Sequence, residues 1–154
     1  MKKYFKVLFL FLALVSLTGC KKNIVTKCTN TVTQEVSNYT ETKEYTVYAK
    51  GDTVKKIVFK DTIDTKNNTI RLYFENLNKQ KYEDLNKNYG GVKYDVSVKG
   101  KLLTTNVTIN YKKFDMKKYV KDDNNMKYYV DKNNKLTYKG AIDMLKLDGL
   151  KCDK

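Results

Sequence analysis

The 154-residue sequence contains no histidine, no proline and no tryptophan, and it has only three cysteines. Without histidine the chain cannot form a Ser-His or Cys-His nucleophile pair. Zinc sites that depend on imidazole ligands are excluded for the same reason. No apolar run approaches the roughly 20 residues that a membrane-spanning helix needs. These absences argue against several common classes of hydrolase and against a helical membrane span.

The amino-terminal segment has the pattern of a cleaved export signal. A basic start, MKKYFK, precedes an uncharged apolar run over residues 7–17, and a run of about 11 residues after a charged start is typical of a secretory signal peptide. The run ends in Leu17, Thr18, Gly19 and Cys20, which resembles the lipobox of bacterial lipoproteins. The resemblance implies a diacylglyceryl thioether on Cys20, cleavage before it and a further acyl chain, such as palmitate, on the new amino terminus. The alternative is an ordinary signal peptide with a chance cysteine.

The lipobox divides the chain into three parts. Residues 1–19 form the predicted signal peptide, residues 20–27 the lipidated cysteine with a short tether, and residues 28–154 a single domain. The length after cleavage suits one domain with a modest core. A tether this short would keep the domain close to the bilayer. We therefore expect an extracytoplasmic protein that is lipid-anchored to the bacterial cell membrane.

The charge balance is strongly basic, with 31 Lys and Arg against 17 Asp and Glu and a net charge of +14. The predicted signal peptide holds three lysines and no acidic residue, so cleavage leaves +11. Such a charge favours anionic lipid or wall polymer as partners, and the expected location makes nucleic acid unsuitable. The abundance of Lys and Asn is also typical of an AT-rich genome, in which case the lysines are solvated and have no specific ligand.

The cysteines leave an even pair once Cys20 is assigned to the anchor. Cys28 and Cys152 would both lie outside the cytoplasm, where disulfides persist. The termini of a domain often lie close together, so we expect a Cys28–Cys152 disulfide between the first strand and the end of the last helix. Two unpaired buried thiols are the alternative, and a catalytic dithiol is disfavoured because no C-x-x-C motif occurs.

In the first half of the predicted domain, the apolar residues first alternate as in strands and then recur at the spacing of a helix. Residues 28–36 suit a first strand, and a turn at Lys50-Gly51-Asp52 predicts a hairpin. The inward positions of that hairpin are Tyr45, Val47, Ala49, Ile57, Phe59 and Ile63. Three- and four-residue steps then predict an amphipathic helix with the stripe Ile70, Tyr73, Phe74, Leu77, Tyr82, Leu85 and Tyr89. Asn68 or Thr69 would cap its start, and Gly90-Gly91 would end it.

The second half begins with another hairpin. Alternating residues over 92–111 predict two strands joined at a second Lys-Gly turn, and a short helix over 115–121 follows. Hairpin plus helix thus occurs twice, either as a weak internal repeat or by chance in a lysine-rich chain. Residues 126–130 suit a short extended segment. A final helix is expected from Ile142, Leu145 and either Leu147 or Leu150, with Gly149 at its end.

These elements predict an α+β fold: a mostly antiparallel sheet built from two hairpins, with an amphipathic helix between them and a C-terminal helix. The order of elements and the segments TID, YGGVKY, TINYKKFDMKK and KLTYKGAIDMLKLDGLKC resemble the YehR-like bacterial lipoproteins over residues 28–152. The resemblance implies a small α+β lipoprotein domain without an established function and without a catalytic motif to transfer.

No stretch of the chain has the pattern of a catalytic or metal site. The adjacent acids Glu83-Asp84 and Asp122-Asp123 are more typical of solvated surface than of catalysis. The segment DDNNMKYYVDKNN lacks the spacing, the Gly and the terminal Glu of an EF-hand loop. We therefore predict no enzyme activity, no cofactor and no metal. The tyrosines can supply core bulk with a polar tip or can line a binding surface.

The leading functional interpretation is a membrane-anchored, non-enzymatic binding or envelope-structural domain whose protein partner is unknown. The alternative is a small-molecule-binding lipoprotein associated with a transporter, although about 135 residues are few for the two-lobed receptors of that class.

Overall fold

The structure is a computed structural model that describes residues 21–153. The predicted signal peptide, Leu17, Thr18, Gly19 and Cys20 lie outside the described residues. The elements of the described range are β1 (Asn23–Gln34), β2 (Tyr39–Lys50), β3 (Thr53–Thr65), α1 (Asn68–Tyr89), β4 (Val92–Lys99), β5 (Leu102–Asn110), α2 (Met116–Asp122), a 3-10 helix (Asn124–Tyr128), α3 (Tyr138–Leu147) and β6 (Lys151–Cys152). No helix among residues 21–153 is long and apolar enough to cross a membrane.

Six strands form one antiparallel sheet in the order β4-β5-β3-β2-β1-β6. The two predicted hairpins, β2–β3 and β4–β5, are joined edge to edge because β3 pairs with β5. One helix lies between the hairpins in sequence, and another lies near the C-terminus. The predicted α+β class is confirmed.

Strand alternation gives the sheet one covered face and one open face. The covered face carries the buried residues Val47, Ile57, Phe59, Leu103 and Val107. α1 packs over β3, β4 and β5 on this face, and α3 packs over β2 and β3. Residues 23–152 supply every strand, every helix and the whole core of the described chain.

α1 begins one residue earlier than the predicted caps allow. The N-cap is Asn67, whose Oδ1 accepts hydrogen bonds from the backbone N–H groups of Thr69 and Ile70. Asn68 and Thr69 therefore belong to the helix, which corrects the prediction. Gly90, with φ +68°, ends the helix as expected, because this conformation favours glycine.

The C-terminal end differs from the expected helix. α3 ends at Leu147, whose side chain is exposed, and Leu150 is buried instead. Cys152 lies in β6, a two-residue strand that pairs with β1 and was not predicted. The structure contains the expected Cys28–Cys152 disulfide, but the bond joins two neighbouring strands rather than a strand and a helix.

Two further local predictions are wrong. β1 begins at Asn23, so residues 23–27 belong to the sheet and only Lys21 and Lys22 remain of the described tether. The predicted extended segment over 126–130 is absent except for Val130, which forms an isolated bridge with Leu136. Residues 124–128 form a 3-10 helix that Asp123 caps by accepting from the backbone N–H of Asn125. The expected short helix over 115–121 is present as α2.

Candidate functional site

A cleft lies on the covered face of the sheet, between α1 and the C-terminal end of α3. It has a volume of about 430 Å³. β2 and β3 form its floor, α1 forms one wall, and Asp148, the residue after α3, contributes the other side. We call it the α1–α3 cleft; its lining residues are Glu41, Lys43, Tyr45, Asp61, Ile63, Phe74, Leu77, Asn78, Lys81 and Asp148.

Asp61 is the central polar group of the α1–α3 cleft. Its position in β3 follows Ile57 and Phe59 by the two-residue period of a strand, so it points to the covered face. Its Oδ1 is fully shielded from solvent and has no hydrogen-bond partner. No other buried side-chain oxygen or nitrogen in residues 21–153 lacks a partner.

Burial raises the pKa of Asp61 to about 6. The negative charge of Glu41 raises the pKa further, whereas Lys43 and Lys81 lower it. Lys43 is itself engaged with Glu41, since its Nζ lies 3.3 Å from the Glu41 carboxylate. Asp61 therefore carries a charge near neutral pH without an ion-pair partner of its own within the described chain.

An aromatic stack borders the carboxylate. The rings of Tyr45 and Phe59 are nearly parallel with centroids 4.6 Å apart, and Tyr82 lies 5.6 Å from Phe59. Burial raises the pKa of both tyrosine hydroxyls well above the usual value, and the charge of Asp61 adds to the effect. Both hydroxyls thus remain protonated at physiological pH.

The wall that α1 contributes is partly apolar. Phe74 contacts Tyr39 edge to face with centroids 5.2 Å apart, and Leu77 keeps 43% of its surface exposed. Asn78 is held in place because its Nδ2 donates a 2.9 Å hydrogen bond to Thr105. The cleft can therefore accept a donor group at Asp61 and an apolar group along α1.

A larger depression of about 520 Å³ lies on the open face of the sheet. Its lining mixes Thr and Lys with aromatic and aliphatic residues such as Tyr94 and Val58, and it includes the loose Lys60–Glu44 pair, whose charged atoms are 3.9 Å apart. The twist of the sheet forms this depression, and no buried polar side-chain atom in it lacks a hydrogen-bond partner. The α1–α3 cleft is the better candidate site for this reason.

The acidic pairs that the sequence suggested as solvated are exposed or locally paired. Glu83 and Asp84 are exposed on α1. Asp122 accepts from Lys118 at 2.6 Å and from Tyr89 at 3.1 Å, while Asp123 caps the 3-10 helix. No group of three or more His, Cys, Asp and Glu side chains in the described part of the chain is arranged to hold a metal ion.

Sequence reasoning placed Ile57, Phe59 and Ile63 on one strand face but did not single out Asp61. The signal was present, because an acidic residue at an inward position of an alternating strand is unusual. Glu41 and Lys43 join Asp61 only through the pairing of β2 with β3, and Lys81 only through the docking of α1.

The comparisons with known proteins concern the fold alone. No family model and no curated protein matches the sequence. The solution structure of the Escherichia coli YehR protein is similar, with a TM-score of 0.55 and 21% identity over 89% of this chain and 94% of that one. A Streptococcus pneumoniae protein has a TM-score of 0.48 and 14% identity over 89% of this chain and 90% of that one. The chain thus has a YehR-like fold.

Proposed function

We propose that this protein is an extracytoplasmic domain, anchored to the bacterial cell membrane through acylated Cys20, that binds a small ligand in the α1–α3 cleft without transforming it. The lipobox resemblance supports the anchor, and the cleft supports the binding activity. The observation that carries the binding proposal is the shielded, unpartnered Oδ1 of Asp61 inside the cleft.

An unpartnered buried acceptor is costly for the folded protein. Leaving such a group without a hydrogen bond costs about 1–3 kcal/mol, and more when the group is charged. Because Oδ1 is shielded, the Asp61 side chain must first turn this oxygen toward the cleft. A ligand that then donates a hydrogen bond to it removes this cost, so binding gains from it. The ligand chemistry that suits the cleft is a primary amine or another N–H donor with an apolar portion that lies against Phe74 and Leu77.

Binding to the cleft can be tested with primary alkylamines from ethylamine to hexylamine, titrated into isotope-labelled protein and followed by NMR. We expect shifts concentrated at Asp61, Leu77, Asn78 and Lys81, with affinity increasing with chain length because more apolar surface is buried. The matching alcohols should bind more weakly, since they lack the charge. Asp61→Asn should weaken amine binding at least tenfold.

Asp64→Asn is the matched control, because Asp64 lies on the same strand but points to the opposite face and pairs with Lys101. It should leave amine binding unchanged. Equal binding by the Asp61 and Asp64 variants, or shifts spread evenly over the surface, would refute the cleft as the binding site.

The alternative function, a small-molecule-binding lipoprotein of a transporter, is favoured by the same cleft volume. Purification from detergent-solubilised membranes with the anchor intact distinguishes the two. Stoichiometric recovery of a transporter's membrane subunits would support the alternative, and their absence would support a free-standing binding domain.

Cys20→Ala tests the anchor. The variant should incorporate no fatty-acid analogue, should remain unprocessed by the lipoprotein signal peptidase and should show no cleavage before residue 20. The reason is that Cys20 is the proposed acceptor of the diacylglyceryl group. Cys152→Ala serves as the control and should still be labelled. Labelling and cleavage of the Cys20 variant would show that the anchor assignment is wrong.

A further inference from the structure

Seven lysines gather at one end of the sheet. Because the strands are antiparallel, the starts of β1 and β3 and the ends of β2 and β5 lie together at this end. We call it the lysine end; it consists of Lys21, Lys22, Lys50, Lys55, Lys112, Lys113 and Lys135. Asp52 is the acidic residue in the turn between β2 and β3 at this end.

Backbone contacts fix these lysines relative to one another. The N–H of Gly51 donates to the carbonyl of Lys22 at 2.9 Å, and the N–H of Tyr111 donates to the carbonyl of Lys55 at 3.0 Å. The N–H of Val54 donates to the carbonyl of Leu136 at 3.0 Å, which brings the segment of Lys135 beside β3. The backbone pairing therefore brings these lysines together, although they come from separate segments of the sequence.

The positive charge of the lysine end exceeds the acidic charge near it, which comes from Asp52, Asp115 and Asp131. None of its seven lysines forms an ion pair with another residue of the range 21–153. Burial lowers the pKa of Lys55, and the charges of Lys135, Lys112, Lys21 and Lys50 lower it further. The repulsion of Lys55 by these four lysines indicates a shared positive field, which an external anion would relieve.

Two depressions divide the lysine end. One, of about 350 Å³, is bordered by Lys50, Lys55 and Lys112 and includes Val25, which is 57% exposed. The other, of about 490 Å³, lies on the other side of Lys55 and Lys112 and includes Lys117 and Lys135 together with one carboxylate, Asp115. Both combine lysines, which can pair with a lipid phosphate, with apolar side chains, which can contact the acyl-chain region beside it.

The lysine end is also the end next to the proposed anchor. Cys20 directly precedes Lys21 in the sequence. The Lys21 side chain lies against Gly51, where a Cβ would come within 3.3 Å of the Lys21 Cδ. An acylated Cys20 would therefore hold this end, and no other, at the membrane surface.

We propose that the lysine end docks on anionic lipid headgroups, with the strands directed away from the bilayer. The inference rests on the proposed function for the direction of anchoring, but the surface itself can be tested without the anchor. Each lysine close to an anionic surface contributes severalfold to the partition coefficient. Several lysines acting together should give measurable binding even without acyl chains.

The test uses residues 21–154, which hold every described strand, helix and core residue, and vesicles of phosphatidylcholine with or without 30% phosphatidylglycerol. We expect binding to the anionic vesicles only, decreasing as salt rises because exposed charges are screened. The variant Lys50→Gln/Lys55→Gln/Lys112→Gln/Lys135→Gln should reduce partitioning on the order of 1,000-fold.

The control variant removes the same charge elsewhere: Lys66→Gln/Lys99→Gln/Lys101→Gln/Lys146→Gln. It should bind at least tenfold more tightly than the lysine-end variant. Equal losses in both variants would show that net charge alone acts and would overturn the proposal. Absence of binding by the parent at low salt, or binding that salt does not change, would overturn it as well.

The orientation provides an independent readout. A 12-residue strand spans about 40 Å, so a fluorophore on Asp52→Cys should transfer energy to a labelled headgroup lipid far more efficiently than one on Ser37→Cys, which lies in the turn at the opposite end. Equal transfer from both sites would overturn the docking geometry.

Competition separates lipid from a soluble polyanion. Inorganic polyphosphate should compete only weakly with anionic vesicles if headgroups at a surface are the partner. Tight polyphosphate binding by the parent together with no vesicle binding would overturn the lipid assignment in favour of a polymer. Failure of the anchor would instead appear as fatty-acid labelling of the Cys20→Ala chain, whatever the vesicle result.

Discussion

Replacement of both Cys28 and Cys152 by Ala should lower the free energy of unfolding by about 4–5 kcal/mol. The disulfide links residues 124 positions apart, so it closes a loop that includes nearly the whole domain. In the chain-entropy account, a cross-link over so long a loop removes many conformations of the unfolded chain. Urea denaturation of the oxidised parent and the double variant would measure the loss.

The position of the disulfide adds a local effect. Cys28 is fully buried, and β6 consists of only two residues at the edge of the sheet. Without the bond β6 has little to hold it to β1, because terminal elements with few hydrogen bonds fray easily. We expect hydrogen exchange at residues 150–153 to accelerate more than exchange in β3.

Reduction of the parent provides the control, because it should reproduce the loss of the double variant and leave that variant unchanged. Alkylation of both cysteines in the native protein without prior reduction would show that the bond does not form in solution. A loss of less than about 1 kcal/mol would contradict the entropic account.

Asp61→Asn should stabilise the protein near pH 7.5 by roughly 2–3 kcal/mol. The folded-state pKa of Asp61 is raised to about 6 from an ordinary value of 3.8. The folded protein therefore holds the proton more tightly than the unfolded chain. The stabilising contribution of the protonated carboxyl is complete below about pH 4 and is lost as the pH rises through 6.

The measurement is the difference in unfolding free energy between the Asn variant and the parent, taken from pH 4 to pH 8. The difference should rise between pH 4 and pH 6 and level off above about pH 7. Other carboxyl groups, such as Asp122 and Asp131 with their lowered pKa values, contribute equally to the unfolding free energies of both proteins. Their contributions therefore cancel in the difference. A flat difference would show that Asp61 is paired or solvated in solution.

Asp64→Asn is again the control and should change stability by less than about 1 kcal/mol, since its ion pair is partly exposed. The groups that face Asp61 from the neighbouring elements must be kept unchanged in this experiment. They are Glu41, Lys43 and Tyr45 of β2, Lys81 and Tyr82 of α1, and Asp148 after α3.

Hairpins and helices were predictable where local patterns are strong. The alternation around Val47 and Phe59 and the Lys-Gly turns fixed the β2–β3 pairing, and Gly90 marked the end of α1. The short β6 was not predictable because two residues carry no periodicity. The 3-10 helix around Met126 was also missed, since its cap depends on Asp123 Oδ1, which accepts a hydrogen bond from the backbone N–H of Asn125.

The predicted helix stripe on α1 was only partly correct. Tyr82 is buried, but Tyr73 and Leu77 remain 62% and 43% exposed. The spacing of apolar residues indicates which side chains share one face of α1. It does not indicate how much of that face other elements cover. α1 packs over β3, β4 and β5 whereas α3 packs over β2 and β3, and the α1–α3 cleft lies between the two helices.

The sequence by itself determined the α+β class, the two hairpins and the basic charge, because these depend on local period, turn chemistry and composition. It left Cys28 and Cys152 as an even pair only when Cys20 is assigned to the anchor. The tertiary structure decided which charged side chains lie close together. Asp61 becomes a shielded carboxylate only when α1 docks over β3, and seven lysines from five separate segments become one surface only when antiparallel pairing brings the strand ends together. Those contacts join residues far apart in sequence, where no local pattern records them.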